Sequence, residues 1–239
     1  MIHGDGIQLS VDARFCGPPG AANGGYLCGL IGAALQRTLT VRLNRPVPLE
    51  TSLDLLPAGE DEWRLQHGAE VLAQARATTL SLEVPKPPTY VEALDASLHY
   101  LGFDGHPYPR CFVCGPDRAK HDGLRLFAGA AEGGPIVAAG WLPDASLGGA
   151  DGKVAPEFMS AALDCPGFFA LRGVRPSLLG EFTSHIDRCV HVDEPCVVIG
   201  WRIGSHGRKH EVGTAVFDED LERCGYARGV WIEPRPLVE

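Results

Sequence analysis

The sequence predicts an α+β protein built from two related halves that pack as one body. Three observations lead there. Two helices, 24–36 and 156–171, are almost wholly apolar, and a helix apolar on nearly every face is buried all round. Strand-like runs with short connections follow each helix, which favours antiparallel pairing. One stretch after the first helix also aligns without gaps on a stretch after the second.

In chain order, Ile7–Phe15 alternates as a strand does. The cluster 17–20 (GPPG) is a turn signal. Asn23 is an N-cap residue for the helix that opens at Gly24. Glycines in that helix lower its intrinsic propensity by about 1 kcal/mol each, so another backbone or a ligand is expected to approach closely. Runs at 39–56 (broken near Pro46 and Pro48), 62–67 and 70–82 read as strands. The stretch 85–88 (PKPP) marks a linker, and 91–101 is a short amphipathic helix.

The second half repeats the plan. Runs 123–127 and 136–141 read as strands, 156–171 as the second buried helix, and 179–192, 196–203, 211–217 and 224–233 as strands. Thr40–Val47 (TVRLNRPV) aligns without gaps on Thr183–Val190 (TSHIDRCV), and Ala75–Ala77 (ARA) on Ala227–Gly229 (ARG). Two copies are too few for a solenoid. They suit a duplicated domain, a homodimer interface made covalent. The expected division is an N-terminal half at 1–84, a linker at 85–109 and a C-terminal half at 110–239.

Composition limits the function. The net charge of −9, without a basic stripe, argues against nucleic-acid binding. No run approaches the about 18 apolar residues of a spanning helix, and the N-terminus does not read as a signal peptide, so a cytoplasmic protein with no membrane partner is expected. Of the eight cysteines, Cys16, Cys28, Cys165, Cys189, Cys196 and Cys224 read, without a secretory signal, as buried reduced thiols. Cys111 and Cys114 form a single CxxC flanked by His106 and His121. Zinc needs about four ligands, so no metal and no cofactor is expected. His185, Asp187, Cys189 and His191 alternate along one strand face and read as a polar face.

Free amides at Gly24, Gly25 and Tyr26 would project from the first helix start and suit a carbonyl oxygen gaining charge. Equally, Asn23 and the glycines could serve capping and packing alone. Glu157 complements its helix dipole. Asp164 lies among apolar residues, where an unpaired carboxylate is costly. It reads either as a catalytic acid or as the cap of a helical segment restarted at Pro166. Arg45, Arg188, Arg208 and Lys209 are the candidate phosphate contacts.

These residues resemble a known family. A strand, a turn, a buried glycine-opened helix and antiparallel strands are similar to the hot-dog fold. Asn23-Gly24-Gly25 resembles the His-Gly-Gly helix start of phenylacetate-type thioesterases, with Asn23 in the histidine's place. The run 43–49 (LNRPVPL) resembles a strand of acyl-CoA thioesterases with two fused hot dogs. Cys111–Gly115 with Gly123-Leu124 resembles a common opening of hot-dog domains, and 213–218 (GTAVFD) the late hairpin, with Leu221 where a turn glycine is usual.

The resemblance implies a double hot-dog, two antiparallel sheets each wrapping a central buried helix. It implies thioester hydrolysis between the halves, with amides at Gly24 and Gly25, the neighbouring Asn23, and Asp164 as base or nucleophile. The implied partner is a small acyl thioester carrying coenzyme A, and a homo-oligomer of the fused pair is left open. A non-catalytic acyl-ligand binding protein is the alternative. A hydratase or dehydratase comes third, because neither buried helix carries a histidine.

Overall fold

A computed structural model describes residues 6–171 and 173–235. Strand β1 (Ile7–Leu9) leads through a 3-10 turn (Ala13–Phe15) into helix α1 (Gly24–Leu35). Asn23 caps α1 as expected, its side-chain oxygen accepting from the Tyr26 amide at 2.9 Å. The helix stops where Gln36 turns left-handed, at φ 53°.

Strands β2 (Leu39–Leu43), β3 (Leu53–Gly59), β4 (Glu62–His67) and β5 (Glu70–Ala77) follow. After helix α2 (Tyr90–Leu98) come β6 (Gly129–Ala130), β7 (Ile136–Trp141), α3 (Pro156–Ala162), α4 (Cys165–Phe169), β8 (Leu178–Ile186), β9 (Cys196–His206), β10 (Lys209–Phe217) and β11 (Arg223–Ile232).

The strands of the described residues join one antiparallel sheet of eleven, in the order β1-β3-β4-β5-β2-β8-β11-β10-β9-β7-β6. An antiparallel sheet wrapping each helix was expected. The β2–β8 ladder fuses the two, because each of these strands lies at the inner border of its group and leaves a free edge that the other satisfies.

The residues aligned in the sequence meet in this ladder. Thr40 and Thr183, aligned by sequence, are direct partners, and their hydroxyls lie 2.8 Å apart. Around them the pairing exchanges equivalents: Leu39 meets Ser184, and Val41 meets Phe182. Arg76 pairs with Thr40, and Arg228 with Thr183. Both sequence matches therefore lie in one row across four strands, about a local twofold centre.

Other expectations change in detail. The predicted strand at 123–127 is not one. Its Leu124 and Leu126 amides bond to the carbonyls of Phe112 and Val113, which fixes it as a loop against the CxxC segment. The second long helix breaks into α3 and α4, because Pro166 has no amide hydrogen to continue the ladder. Within the expected linker, α2 lies on the sheet's outer face. Its Ala93 and Ala96 are buried with Ala138, Ile199 and Phe217. At Leu221 the chain takes φ 61°, a strained conformation for a branched apolar residue.

Helices α1 and α3 pack against each other on the inner face of the sheet. Gly25 and Gly29 make the approach possible: a Cβ at Gly25 would lie 2.5 Å from that of Asp164, and one at Gly29 2.5 Å from that of Ser160. The close neighbour anticipated from the glycines is thus the second helix backbone. Ser160 adds a hydroxyl bond to the Gly25 carbonyl at 2.9 Å.

Candidate active site

The break between α3 and α4 places Asp164 against the start of α1. Its side chain makes no capping bond to α4. Instead Oδ2 accepts from the Gly25 amide at 3.0 Å and from the Asn23 side-chain amide at 2.8 Å. Asp164 is 3% exposed, and burial raises its carboxyl group to about 7, against the opposing pull of the Gly25 amide.

Asn23 is therefore bifunctional. Its oxygen caps α1 while its nitrogen holds Asp164. The Gly25 amide was expected to face a substrate carbonyl. It is committed instead to Asp164 Oδ2. Tyr26 is committed likewise, to Asn23. Of the three candidate amides, Gly24 alone has no acceptor among the described residues.

Two buried side-chain polar atoms lack a hydrogen-bond partner among the described residues: Asp164 Oδ1 and Trp231 Nε1. Both residues line one cavity of about 60 Å³, together with Gly24, Asn23, His106 and Tyr108. Leaving either atom unpaired costs about 1–3 kcal/mol, and the residues that carry them share this cavity. Trp231 was missed in the sequence because the last strand carries only an apolar pattern. Nothing there shows where its ring nitrogen points.

This small cavity adjoins a larger one of about 380 Å³. The two share Pro18, Gly24, Tyr108, Leu178 and Leu179. Leu27, Leu43, Val47 and Ile232 make the larger one apolar, and Arg45 and Arg208 stand at it. Arg45 pairs with Glu70 at 2.7 Å, and Arg208 donates to the Glu233 carbonyl at 2.6 Å.

The other two candidate cations lie elsewhere. Arg188 lines a separate cavity beside Gly32 and Cys189 and pairs with Asp218 and Glu194. Lys209 lines neither cavity near Asp164.

No protein-family profile and no curated protein matches the chain. Solved structures do. The tesB protein of Mycobacterium avium subspecies paratuberculosis aligns over 98% of this chain and 96% of its own, at 14% identity and TM-score 0.61. A hot-dog-fold protein of unknown function from Alicyclobacillus acidocaldarius aligns over 99% and 96%, at 12% identity and TM-score 0.58. The chain has the hot-dog fold.

Within a hot-dog fold the central helix is the element wrapped by the sheet, and here the start of α1 carries Asn23, Gly24 and Gly25. Among the described residues no helix is long and apolar enough to cross a membrane.

Proposed function

We propose that this is a double hot-dog protein, with halves at 1–84 and 110–239, that hydrolyses an acyl thioester of coenzyme A where the halves meet. The observation that carries the reading is that Asp164 and Trp231, each with one orphaned polar atom, line one small cavity beside a larger apolar one.

The substrate carbonyl oxygen accepts from the Trp231 indole N–H and the Gly24 amide. These donors stabilise the charge that develops as the tetrahedral intermediate forms. Asp164 Oδ1 takes a proton from water as the water oxygen attacks the carbonyl carbon. The intermediate then expels the thiolate, which receives that proton, and an acid and a thiol leave. Direct attack by Oδ1 would instead give an anhydride that water opens. The apolar cavity takes the acyl or pantetheine chain, and Arg45 and Arg208 face the phosphates.

The test is thiol release from a panel of acyl-CoAs, with parent protein and Asp164→Asn. Asparagine keeps the acceptor for Gly25 and removes the base. Turnover is expected to fall on the order of 10²-fold or more, with the melting temperature held or raised. Full activity in Asp164→Asn would remove Asp164 from the mechanism. Saturable binding of acyl-CoA by a parent that cleaves none of the panel would replace hydrolysis with ligand binding.

A further inference from the structure

The structure assigns a zinc site to Cys111, Cys114 and Cys165, which line the same small cavity as Asp164. The three Sγ atoms lie within 4.8 Å of one another, and all three residues are buried. Cys111 and Cys165 approach to 3.7 Å. Zinc–sulfur bonds of about 2.3 Å in tetrahedral array put sulfurs roughly 3.8 Å apart, so little movement is needed to close the set.

The surrounding hydrogen bonds distinguish these thiols from Cys196 and Cys224, each of which donates to a carbonyl oxygen at 3.3–3.4 Å, as neutral thiols do. No carbonyl oxygen accepts from the clustered sulfurs among the described residues. N–H donors do. His106 Nδ1 accepts from the Tyr108 amide at 2.8 Å, which leaves the ring proton on Nε2, 3.3 Å from Cys114 Sγ. The Asn23 side-chain amide stands 3.9 Å from Cys111 Sγ.

Donors directed at sulfur are the outer partners that metal-bound thiolates take. His106 is thus a donor to a ligand rather than a ligand itself. Cys111, Cys114 and Cys165 all line the small cavity. A fourth position on the metal is therefore open to water or a guest, and the cavity gives an entry path. Three thiolates select a soft or borderline cation, which favours zinc over magnesium or calcium. The single CxxC gave no ground for expecting a metal. The third sulfur arrives only because the break before α4 turns Cys165 toward the CxxC loop.

The experiment uses the full chain purified without chelator. Elemental analysis is expected to find about one zinc per chain, and cobalt exchanged for zinc should show thiolate-to-cobalt charge transfer with tetrahedral d–d bands. Cys114→Ser should lose both signals, and Cys189→Ser, a thiol outside the cluster, should keep them. His106→Phe should retain the metal at lower affinity. If Cys114→Ser fails to fold, alkylation of the parent with and without zinc decides: Cys111, Cys114 and Cys165 should be protected by the metal. A parent that takes up no zinc on dialysis overturns the site, as does protection of other cysteines or a cobalt spectrum without sulfur charge transfer.

Discussion

Asn23 reaches across 141 residues of sequence to donate to Asp164 Oδ2 at 2.8 Å, while its own oxygen caps the helix on which it sits. One side chain thus fixes both a helix terminus and the acid facing it. Asn23→Ala removes the cap and leaves a buried carboxylate with one donor fewer. It should destabilise the protein by about 1–3 kcal/mol and lower turnover. Asn23→Asp keeps the cap but sets two carboxyl groups together, so activity should fall while the helix is retained. Thermal unfolding with acyl-CoA hydrolysis checks both.

Trp231 offers a sharper separation of stability from activity. Its ring nitrogen has no partner among the described residues. Trp231→Phe retains most of the apolar contact and removes an unsatisfied donor. Unfolding should change little, at most about 1–2 kcal/mol for the smaller ring. Turnover should drop about 10-fold or more if the N–H meets the developing oxyanion. An unchanged kcat would assign that donor role elsewhere.

Gly29 is fixed by the helix crossing. A methyl group there meets Ser160 Cβ at 2.5 Å and the Glu157 backbone at 2.7 Å. Gly29→Ala should destabilise by about 1–3 kcal/mol through overpacking, despite the better helix propensity of alanine. Denaturant unfolding that finds it neutral or stabilising would mean that α1 and α3 are less tightly packed than their geometry indicates.

Arg45 and Arg208 should act on binding. A phosphate contact is similar in the ground and transition states, so Arg45→Ala or Arg208→Ala should raise KM more than it lowers kcat. The effect should shrink with added salt. Arg188→Ala and Lys209→Ala should leave KM near the parent value, since neither residue lines the cavities at Asp164.

Asp218 should set part of the acid limit of stability. Burial opposes its charge, yet the Glu222 amide and the Arg188 guanidinium hold its carboxyl group below the usual range. A folded-state value below the unfolded one adds stability above the unfolded pKa, and that stability is lost as pH falls through the folded one. Asp218→Asn should therefore be less stable than the parent near neutrality, and the difference should narrow below about pH 4. Melting temperatures at pH 6 and pH 3 test this. A constant difference would locate the proton uptake in other groups.

The sequence by itself determined the α+β class, both apolar helices, most of the strands and the Asn23 cap, because periodicity and capping are local. It also aligned Thr40 with Thr183, the two residues that meet at the border of the sheet's two strand groups. It raised Asp164 as an ionisable group in apolar company but left its purpose open between cap and acid. Only the tertiary structure turned that side chain away from α4 and onto the Gly25 amide, brought Trp231 to the same cavity, and separated Arg188 and Lys209 from Arg45 and Arg208. It alone brought Cys165 to Cys111 and Cys114. These juxtapositions depend on where Pro166 breaks a helix and how closely two glycine-lined helices cross, and they join residues far apart in the chain through packing that no local pattern records.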